Sequence, residues 1–484
     1  MSIMETVNQS SEFTKSRRPW LRWLKYLAIV LLPGLIVFVA QQGWRHSEAS
    51  KKLQETLVVM DRADSGWQLA DIEAAREKIP EDENSAHVIV AASNLLPKNW
   101  PAWEFSDLFE QLPPEELLPP GDFARLKQEL DKLLPALQEA RKLSALPRGR
   151  HHLEYQSFFP SMLLPGGQQE TRRIVRLLCY DALRHDRERD LISALNSCQA
   201  AFHAARSLGD EPFAISQLIR MANVIQSCQS IERVLAQGEP PPDRLADFQD
   251  LIRREDDFPN LLVLARGERA LLHTRLDALE SGVEPLQRLY NMLPAMADPI
   301  FAWSTREELR QSHPAVLAAM SRYVAIARLP MHEQAAALRQ LDLELRSLKQ
   351  SAPLAFHLIL ALGNTFDYSQ RKHAYLRCLS TALAAERYRR EHKQWPAALD
   401  KLCPQFLASV LLDPFDGKAL RCRRVEDGMI VYSVGSDKTD NNGKLDIDRE
   451  NPNQPGVDIG VRLWDVSKRR QPPRPKTHKK EQPR

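Results

Sequence analysis

An apolar run of fourteen uncharged residues, LAIVLLPGLIVFVA, lies near the start of the chain at Leu27–Ala40. The aromatic and leucine side chains of residues 20–26 extend this apolar stretch and are interrupted only by Arg22 and Lys25. About 20 apolar residues are enough to cross the hydrocarbon core of a bilayer. The sequence therefore predicts a transmembrane helix over residues 20–42, in contact with membrane lipid.

Basic residues lie mainly on one side of this span. Lys15, Arg17 and Arg18 precede it, whereas Arg45 follows it closely. The positive-inside rule then places a basic segment, residues 1–19, in the cytoplasm and the bulk of the chain outside it. We expect a single-pass protein of a bacterial inner membrane whose main part is periplasmic.

Two alternatives to an uncleaved anchor are open. One is a cleaved signal peptide, because a basic segment followed by an apolar one is also typical of that class. Cleavage after Ala40 would leave Phe38 at a position where a small residue is preferred. The other alternative is a buried helix of a soluble protein. The anchor and the signal peptide both export the rest of the chain.

Charge is distributed unevenly along the chain. The chain has 66 Lys and Arg against 63 Asp and Glu. The excess of basic residues comes from residues 1–40 and 467–484, whereas the part between these two segments is mildly acidic. This differs from the concentrated basic surface of a nucleic-acid-binding domain, so no nucleic-acid partner is expected. The Pro- and Lys/Arg-rich segment 467–484 is predicted to be a disordered basic tail, either solvated or attracted to anionic lipid.

Helical periodicity dominates residues 45–370. One helical face shows apolar residues at intervals of three and four, namely Ile215, Leu218, Ala222, Ile225, Cys228, Ile231 and Leu235. Short Gly- and Pro-rich breaks between such stretches favour antiparallel neighbours. The predicted fold class is mainly α, with the long extracytoplasmic domain of residues 45–370 forming a helical bundle or an irregular helical array.

The pattern changes in residues 375–466, for which we predict a small C-terminal α+β module. A helix over Tyr375–Lys393 comes first. Two strand-like runs, Leu420–Arg424 and Met429–Val434, then flank Glu426-Asp427-Gly428. An Asp-Gly pair between two such runs is typical of a β-hairpin.

The order of motifs in this region resembles the globular domain of the major pseudopilin of type II secretion, over about 90 of the 484 residues. The motifs are Ala384-Ala385-Glu386-Arg387-Tyr388, Trp395-Pro396, Leu412-Asp413-Pro414-Phe415-Asp416-Gly417, Tyr432-Ser433-Val434-Gly435-Ser436-Asp437 and Val457-Asp458-Ile459-Gly460. The resemblance implies a helix before a small antiparallel sheet, and a calcium-binding loop with Asp437, Asp446 and Asp458 as ligands. The N-terminal region lacks the pseudopilin processing motif, so assembly into a pilus is not expected. The chain as a whole resembles large membrane-anchored exported bacterial proteins, which implies no mechanism.

Acidic and amide side chains are concentrated between residues 437 and 448. Ca²⁺ binds six to eight oxygen ligands, and carboxylates brought close together repel each other unless a cation or solvent separates them. The alternative is a solvated loop rich in Asn, Asp and Gly. As candidate Ca²⁺ ligands we name Asp437, Asp440, Asn442, Asp446 and Asp458.

Known catalytic motifs are missing from the sequence. His332-Glu333 lacks the second histidine of a zinc protease, because Ala336 stands at that position. His151-His152 has no further ligand at metal-binding spacing, and no Gly-x-Ser-x-Gly motif or phosphate-binding loop is present. We therefore expect a non-enzymatic protein without a cofactor other than Ca²⁺.

Six cysteines in an exported chain are compatible with disulfide bonds. Cys403 and Cys422 flank a turn-rich stretch and form the best candidate pair, whereas the other four are expected to be buried thiols.

These observations predict a membrane-anchored extracytoplasmic scaffold or interaction protein that binds an unidentified protein partner. Two alternatives remain. One is a divergent component of a secretion apparatus, and the other is an exported enzyme whose catalytic residues are dispersed in the helical domain.

Overall fold

The computed structural model describes residues 20–100, 112–153, 155, 167–284, 302–351, 363–445 and 456–474. Contacts divide the chain into one unit of residues 1–55 and a second, compact unit of residues 56–484.

The first helix is longer than the predicted span. Helix α1, Trp20–Ala63, includes the apolar run and the polar stretch after it without interruption, with Pro33 inside it. It ends shortly before Gly66, whose φ of +71° lies in the left-handed region that favours glycine. Within the described residues no helix combines the length and the apolar character needed to cross a membrane, so the transmembrane span over residues 20–42 is not confirmed.

Helices make up most of the second unit, which confirms the mainly α prediction. Their bounds are α2 Leu69–Ala75, α3 Ser85–Asn94, α4 Pro120–Lys132, α5 Leu134–Arg141, α6 Gln168–Glu188, α7 Leu191–Arg206, α8 Ala214–Gln237, α9 Pro242–Asp256, α10 Asn260–Ser281, α11 Ala302–Ala327, α12 Met331–Ser351 and α13 Gly363–His392.

Local sequence explains where several of these helices begin. The Asn84 side chain accepts a hydrogen bond from the Ala86 amide at the start of α3, and Asp190 accepts one from Ser193 at the start of α7. Both side chains satisfy amides that would otherwise lack a partner in the first turn. Pro242 is the first residue of α9, where a fixed φ and a missing N–H cost nothing.

The predicted hairpin is confirmed and belongs to a three-stranded antiparallel sheet. Strands β1 Arg421–Val425, β2 Gly428–Ser433 and β3 Ile459–Trp464 are ordered β1-β2-β3. Gly428 is required by close packing, because a Cβ there would lie 1.8 Å from the Leu463 carbonyl oxygen.

The sheet and α13 share the main hydrophobic core with the other helices. Leu376 and Leu379 of α13 and Val431 and Val461 of the sheet belong to the same buried cluster as Leu177 of α6. Residues of the segment 375–466 therefore share a hydrophobic core with the helical domain.

A buried ionic network holds five helices around Glu255, near the end of α9, including α7, whose Arg206 Nε lies 3.4 Å from Glu255 Oε2. Arg220 of α8 donates to Glu255 Oε2 at 2.6 Å, and the Nζ atom of Lys372 on α13 lies 3.2 Å from Oε1. Lys372 also donates to Asn260 of α10 at 2.7 Å. Burial alone would raise the pKa of Glu255, but Arg220 and Lys372 hold it at about 2.

All six cysteines are free thiols. The candidate pair, Cys403 and Cys422, is therefore not bridged in this structure. Cys179, Cys198, Cys228 and Cys378 are buried, as predicted.

Residues 469–471, at the start of the predicted basic tail, contact the helical domain. Arg469 forms a buried ion pair with Glu386 of α13 at 2.9 Å. Gln471 exchanges backbone hydrogen bonds of 2.7 and 2.8 Å with residues 115–117. The sequence shows basic residues here but not the buried carboxylate that one of them neutralises. Residues 475–484 of the predicted tail lie outside the described residues.

We predict that removing residues 467–484 lowers the free energy of unfolding by about 2–4 kcal/mol, because Glu386 loses one of its buried cationic partners. A chain that ends at Arg474 is the matched control and should unfold like the intact chain. Thermal and urea unfolding of both chains measure the effect. Equal stability of the two truncated chains would contradict the prediction.

Candidate functional site

The predicted calcium ligands lie around the end of the segment that enters β3. Asp458 is buried, and its carboxylate accepts hydrogen bonds from the backbone N–H groups of Asn441 and Gly443, at 3.3 and 2.7 Å. Burial raises the pKa of Asp458 despite these two bonds, and the nearby charge of Asp440 adds to the increase. The structure therefore places the predicted ligand Asp458 against the backbone of the acidic loop, next to residues 441 and 443.

The other predicted ligands are arranged differently. Asp437 is exposed and accepts hydrogen bonds from the amides of Thr439 and Gly456. Asn442 is exposed too, and Asp446 lies outside the described residues. Among the side chains that the structure describes, no group of three or more His, Cys, Asp or Glu is placed to hold a metal ion. Calcium binding at this loop stays a prediction.

A protein cation already lies beside part of this acidic region. The guanidinium of Arg421 contacts Asp413 at 3.0 Å, pairs with Asp416, and lies 3.6 Å from Asp440. Asp413 is buried and also accepts a hydrogen bond from the amide of Val434 at 2.9 Å. Arg421 thus supplies positive charge beside Asp440, one of the five candidate Ca²⁺ ligands.

A second cluster, which the sequence did not predict, lies between α10 and α11. Polar side chains of α10 meet polar side chains on or directly after α11, in antiparallel order. We call this set the polar stripe, and its members are Arg266, Arg269, His273 and Glu280 from α10 with His313, Ser321 and Arg328 from the second helix. The spacing of three, four and seven residues places the α10 members on one helical face.

Three guanidinium groups converge on the carboxylate of Asp64 at one end of the polar stripe. Arg266 Nε lies 3.1 Å from Asp64 Oδ2, Arg328 Nη2 lies 2.7 Å from Oδ1, and Arg269 donates to Oδ2 as well. Arg266 also donates to the carbonyl oxygen of Gly66 at 3.1 Å. Asp64 is buried, which would raise its pKa, but Arg269 and Arg266 outweigh burial and lower it. One carboxylate therefore faces three cations.

A hydrogen-bonded chain of Glu280, His313 and His273 occupies the other end. Glu280 Oε1 lies 2.8 Å from His313 Nδ1, and His313 Nε2 lies 3.0 Å from His273 Nδ1. The ring of His273 packs on Trp67, with centroids 5.0 Å apart, and the guanidinium of Arg269 lies 5.5 Å from the same indole. When His313 is neutral and donates to Glu280, its Nε2 accepts the proton of His273 Nδ1, which leaves His273 Nε2 as the basic atom.

The sequence contains only part of the pattern that would have revealed the polar stripe. Arg266, Arg269 and His273 recur at helical intervals, and such a row indicates a polar contact, but Glu268, Arg275 and Asp277 of the same helix make the row hard to distinguish. Its partners, however, come from about 40–60 residues later in the chain and, for Asp64, from about 200 residues earlier. Without the helix pairing, these residues cannot be assigned to one site.

Comparison of the chain with protein-family models, with curated proteins and with solved structures gives no match. The resemblance to the pseudopilin domain accordingly stays a prediction.

We predict that His273 makes the protein less stable in mild acid. Burial lowers the pKa of His273 to about 4, and His313 lowers it as well. An unfolded histidine titrates near 6.5, so this stability is present above about pH 6.5 and is lost as the pH falls toward 4. Because the ring is partly exposed, we expect about 1 kcal/mol between pH 7 and pH 5.

The measurement is urea unfolding at both pH values for the unaltered chain and for His273→Gln. The variant should lose less stability on acidification than the unaltered chain. His152→Gln, which replaces an exposed histidine, is the control. On acidification it should lose as much free energy of unfolding as the unaltered chain. An identical loss in His273→Gln and in the unaltered chain would contradict the prediction.

Proposed function

We propose that the chain is a membrane-anchored extracytoplasmic interaction protein, held by α1 and presenting its helical unit to a protein partner. The observation that carries this proposal is the exposure of apolar side chains along α1. Between residues 31 and 39 every described residue is exposed, including Leu31, Leu32, Leu35, Ile36, Val37, Phe38 and Val39.

The arrangement of these side chains favours lipid as their surroundings. Successive residues of an α-helix point about 100° apart, so an unbroken run of exposed apolar residues covers every face of the helix. A helix that is apolar all round is either enclosed by protein or embedded in a membrane. The run continues in the sequence through residues 27–30 and is preceded by basic residues, as an anchor with a cytoplasmic N-terminus requires.

The helical unit is suited to protein binding. Packed helical arrays present extended, rigid surfaces on which a partner can be recognised without a catalytic group. The pseudopilin-like region supports a role beside a secretion apparatus as the more specific form of this proposal, with calcium bound at the acidic loop as an additional stabilising element.

The anchor is tested by membrane extraction. We expect the intact chain to sediment with membranes and to resist high salt and alkaline carbonate. The double variant Ile36→Arg/Val37→Arg should be released at least partly, because charges at the centre of a span cost roughly 2.5–3.5 kcal/mol each.

The control for this experiment is Val58→Arg/Val59→Arg, which alters two exposed valines of α1 outside the run. It should remain with the membrane. A fluorescent reporter that matures only in the cytoplasm, fused after residue 474, should stay dark. Release of the intact chain by salt, or a bright reporter, would overturn the proposal.

The calcium proposal is tested on the whole chain because residues 375–466 share their core with the other helices. Millimolar Ca²⁺ should raise Tm, and Asp437→Asn/Asp458→Asn should abolish that increase, because both changes remove anionic oxygen ligands. Asp400→Asn, an exposed acid outside the loop, should retain the increase. An unchanged Tm of the unaltered chain in Ca²⁺ would remove calcium from the proposal.

A further inference from the structure

The guanidinium groups around Asp64 carry more positive charge than their surroundings neutralise. Among the described residues, Arg266, Arg269 and Arg328 form no ion pair other than the one with Asp64. Three cations and one carboxylate leave an excess of two positive charges. Burying or crowding unmatched cations is costly, so such a site favours an additional anion.

We propose that Arg266, Arg269 and Arg328 form a binding site for a phosphate-type dianion, beside the carboxylate of Asp64. The excess charge of +2 matches a dianion. Guanidinium groups also bind tetrahedral oxyanions well, because their planar donors form paired, charge-assisted hydrogen bonds.

Arg266 and Arg328 retain N–H groups that can donate hydrogen bonds to a bound dianion. Arg328 uses Nη2 for Asp64, and Arg266 uses Nε and Nη2 for Asp64 and Gly66. Their side chains are 45 % and 30 % exposed, so an anion can approach both guanidinium groups from solvent. Arg266 and Arg328 are therefore the solvent-facing members of the site, and Arg269 is its buried member.

Arg269 provides an independent indication of an incomplete site. Its side chain is only 2 % exposed, yet its Nε atom has no hydrogen-bond partner within the described part of the chain. Its Nη atoms donate to Asp64 and Ser321. A buried donor without a partner costs free energy, and an oxygen of a bound anion would satisfy it.

Asp64 already shows that the arginines accept an oxyanion at this position. Its two carboxylate oxygens receive donors from all three guanidinium groups. A ligand beside it is attracted by three cations and repelled by one anion. Removing the Asp64 charge should therefore strengthen binding of an external dianion, whereas removing an arginine should weaken it.

The same chemistry has two sources, free phosphate and the phosphate of a lipid head group. Isothermal titration calorimetry with inorganic phosphate tests the first source, at constant ionic strength maintained with chloride. Sedimentation with vesicles that contain phosphatidic acid, whose phosphomonoester can carry two negative charges, tests the second source by comparison with neutral phosphatidylcholine vesicles. In this experiment α1 is held in phosphatidylcholine nanodiscs to separate anchoring from head-group binding.

We expect saturable binding of phosphate that Arg328→Gln and Arg266→Gln each weaken at least about tenfold. Asp64→Ala should bind phosphate more tightly than the unaltered chain, and phosphate should raise its Tm more. Arg322→Gln is the matched control, since Arg322 is an exposed arginine of α11 paired with Glu344. Binding that responds to Arg322→Gln as strongly as to Arg328→Gln would indicate general charge attraction and overturn the site.

Conservative variants keep the test valid if a glutamine variant does not fold. Arg328→Lys and Arg266→Lys retain the charge but lose the planar donors, so they should bind phosphate more weakly while retaining most of the stability. Absence of binding both to free phosphate and to anionic vesicles by the folded, unaltered chain would overturn the proposal, as would weaker phosphate binding by a folded Asp64→Ala variant. Vesicle binding without binding of free phosphate would assign the site to lipid head groups.

Discussion

The carboxylate of Glu255 is the constraint on which the packing of the helical unit depends. It is buried where α7, α8, α9, α10 and α13 meet, and its charge is neutralised by Arg206, Arg220 and Lys372. A buried charge that loses its partner is strongly destabilising, so these helices must adopt the one arrangement that brings the cations to Glu255. The adjacent Asp256 extends the network to Arg377, at 2.9 Å. Arg377 in turn donates to a carbonyl oxygen of the segment leading into the sheet.

Periodicity was enough to predict a mainly helical chain and the hairpin of β1 and β2, because both depend on local patterns. It was not enough to predict how residues 375–466 pack. The change from helical to strand-like sequence suggested a separate module, but Leu376 and Val431 bury their side chains in the same core as the preceding helices. Likewise, the composition of residues 467–474 suggested disorder, whereas Arg469 has a buried partner, Glu386, that lies about 80 residues away in sequence.

The two candidate sites also differ in how much of each could be predicted from the sequence. The acidic loop is contiguous, so its composition could be recognised from sequence, but the position of Arg421 beside Asp413 and Asp440 could not. The arginines around Asp64 do not come from one continuous segment of the sequence. Asp64 and Arg328 are far apart in sequence and meet only through tertiary packing. The composition of the sequence was thus enough to find the acidic loop with its many oxygen ligands. The excess of arginine side chains around Asp64 could be found only from the folded structure.

The polar stripe also determines the axial alignment of α10 against α11. Leucine contacts between two helices tolerate sliding, because one apolar side chain can replace another in the same groove. A slip of one turn, about 5.4 Å, would instead separate His313 from Glu280 and Ser321 from Arg269 together. A few polar groups in this seam therefore select a single register from the several that its apolar residues alone would allow.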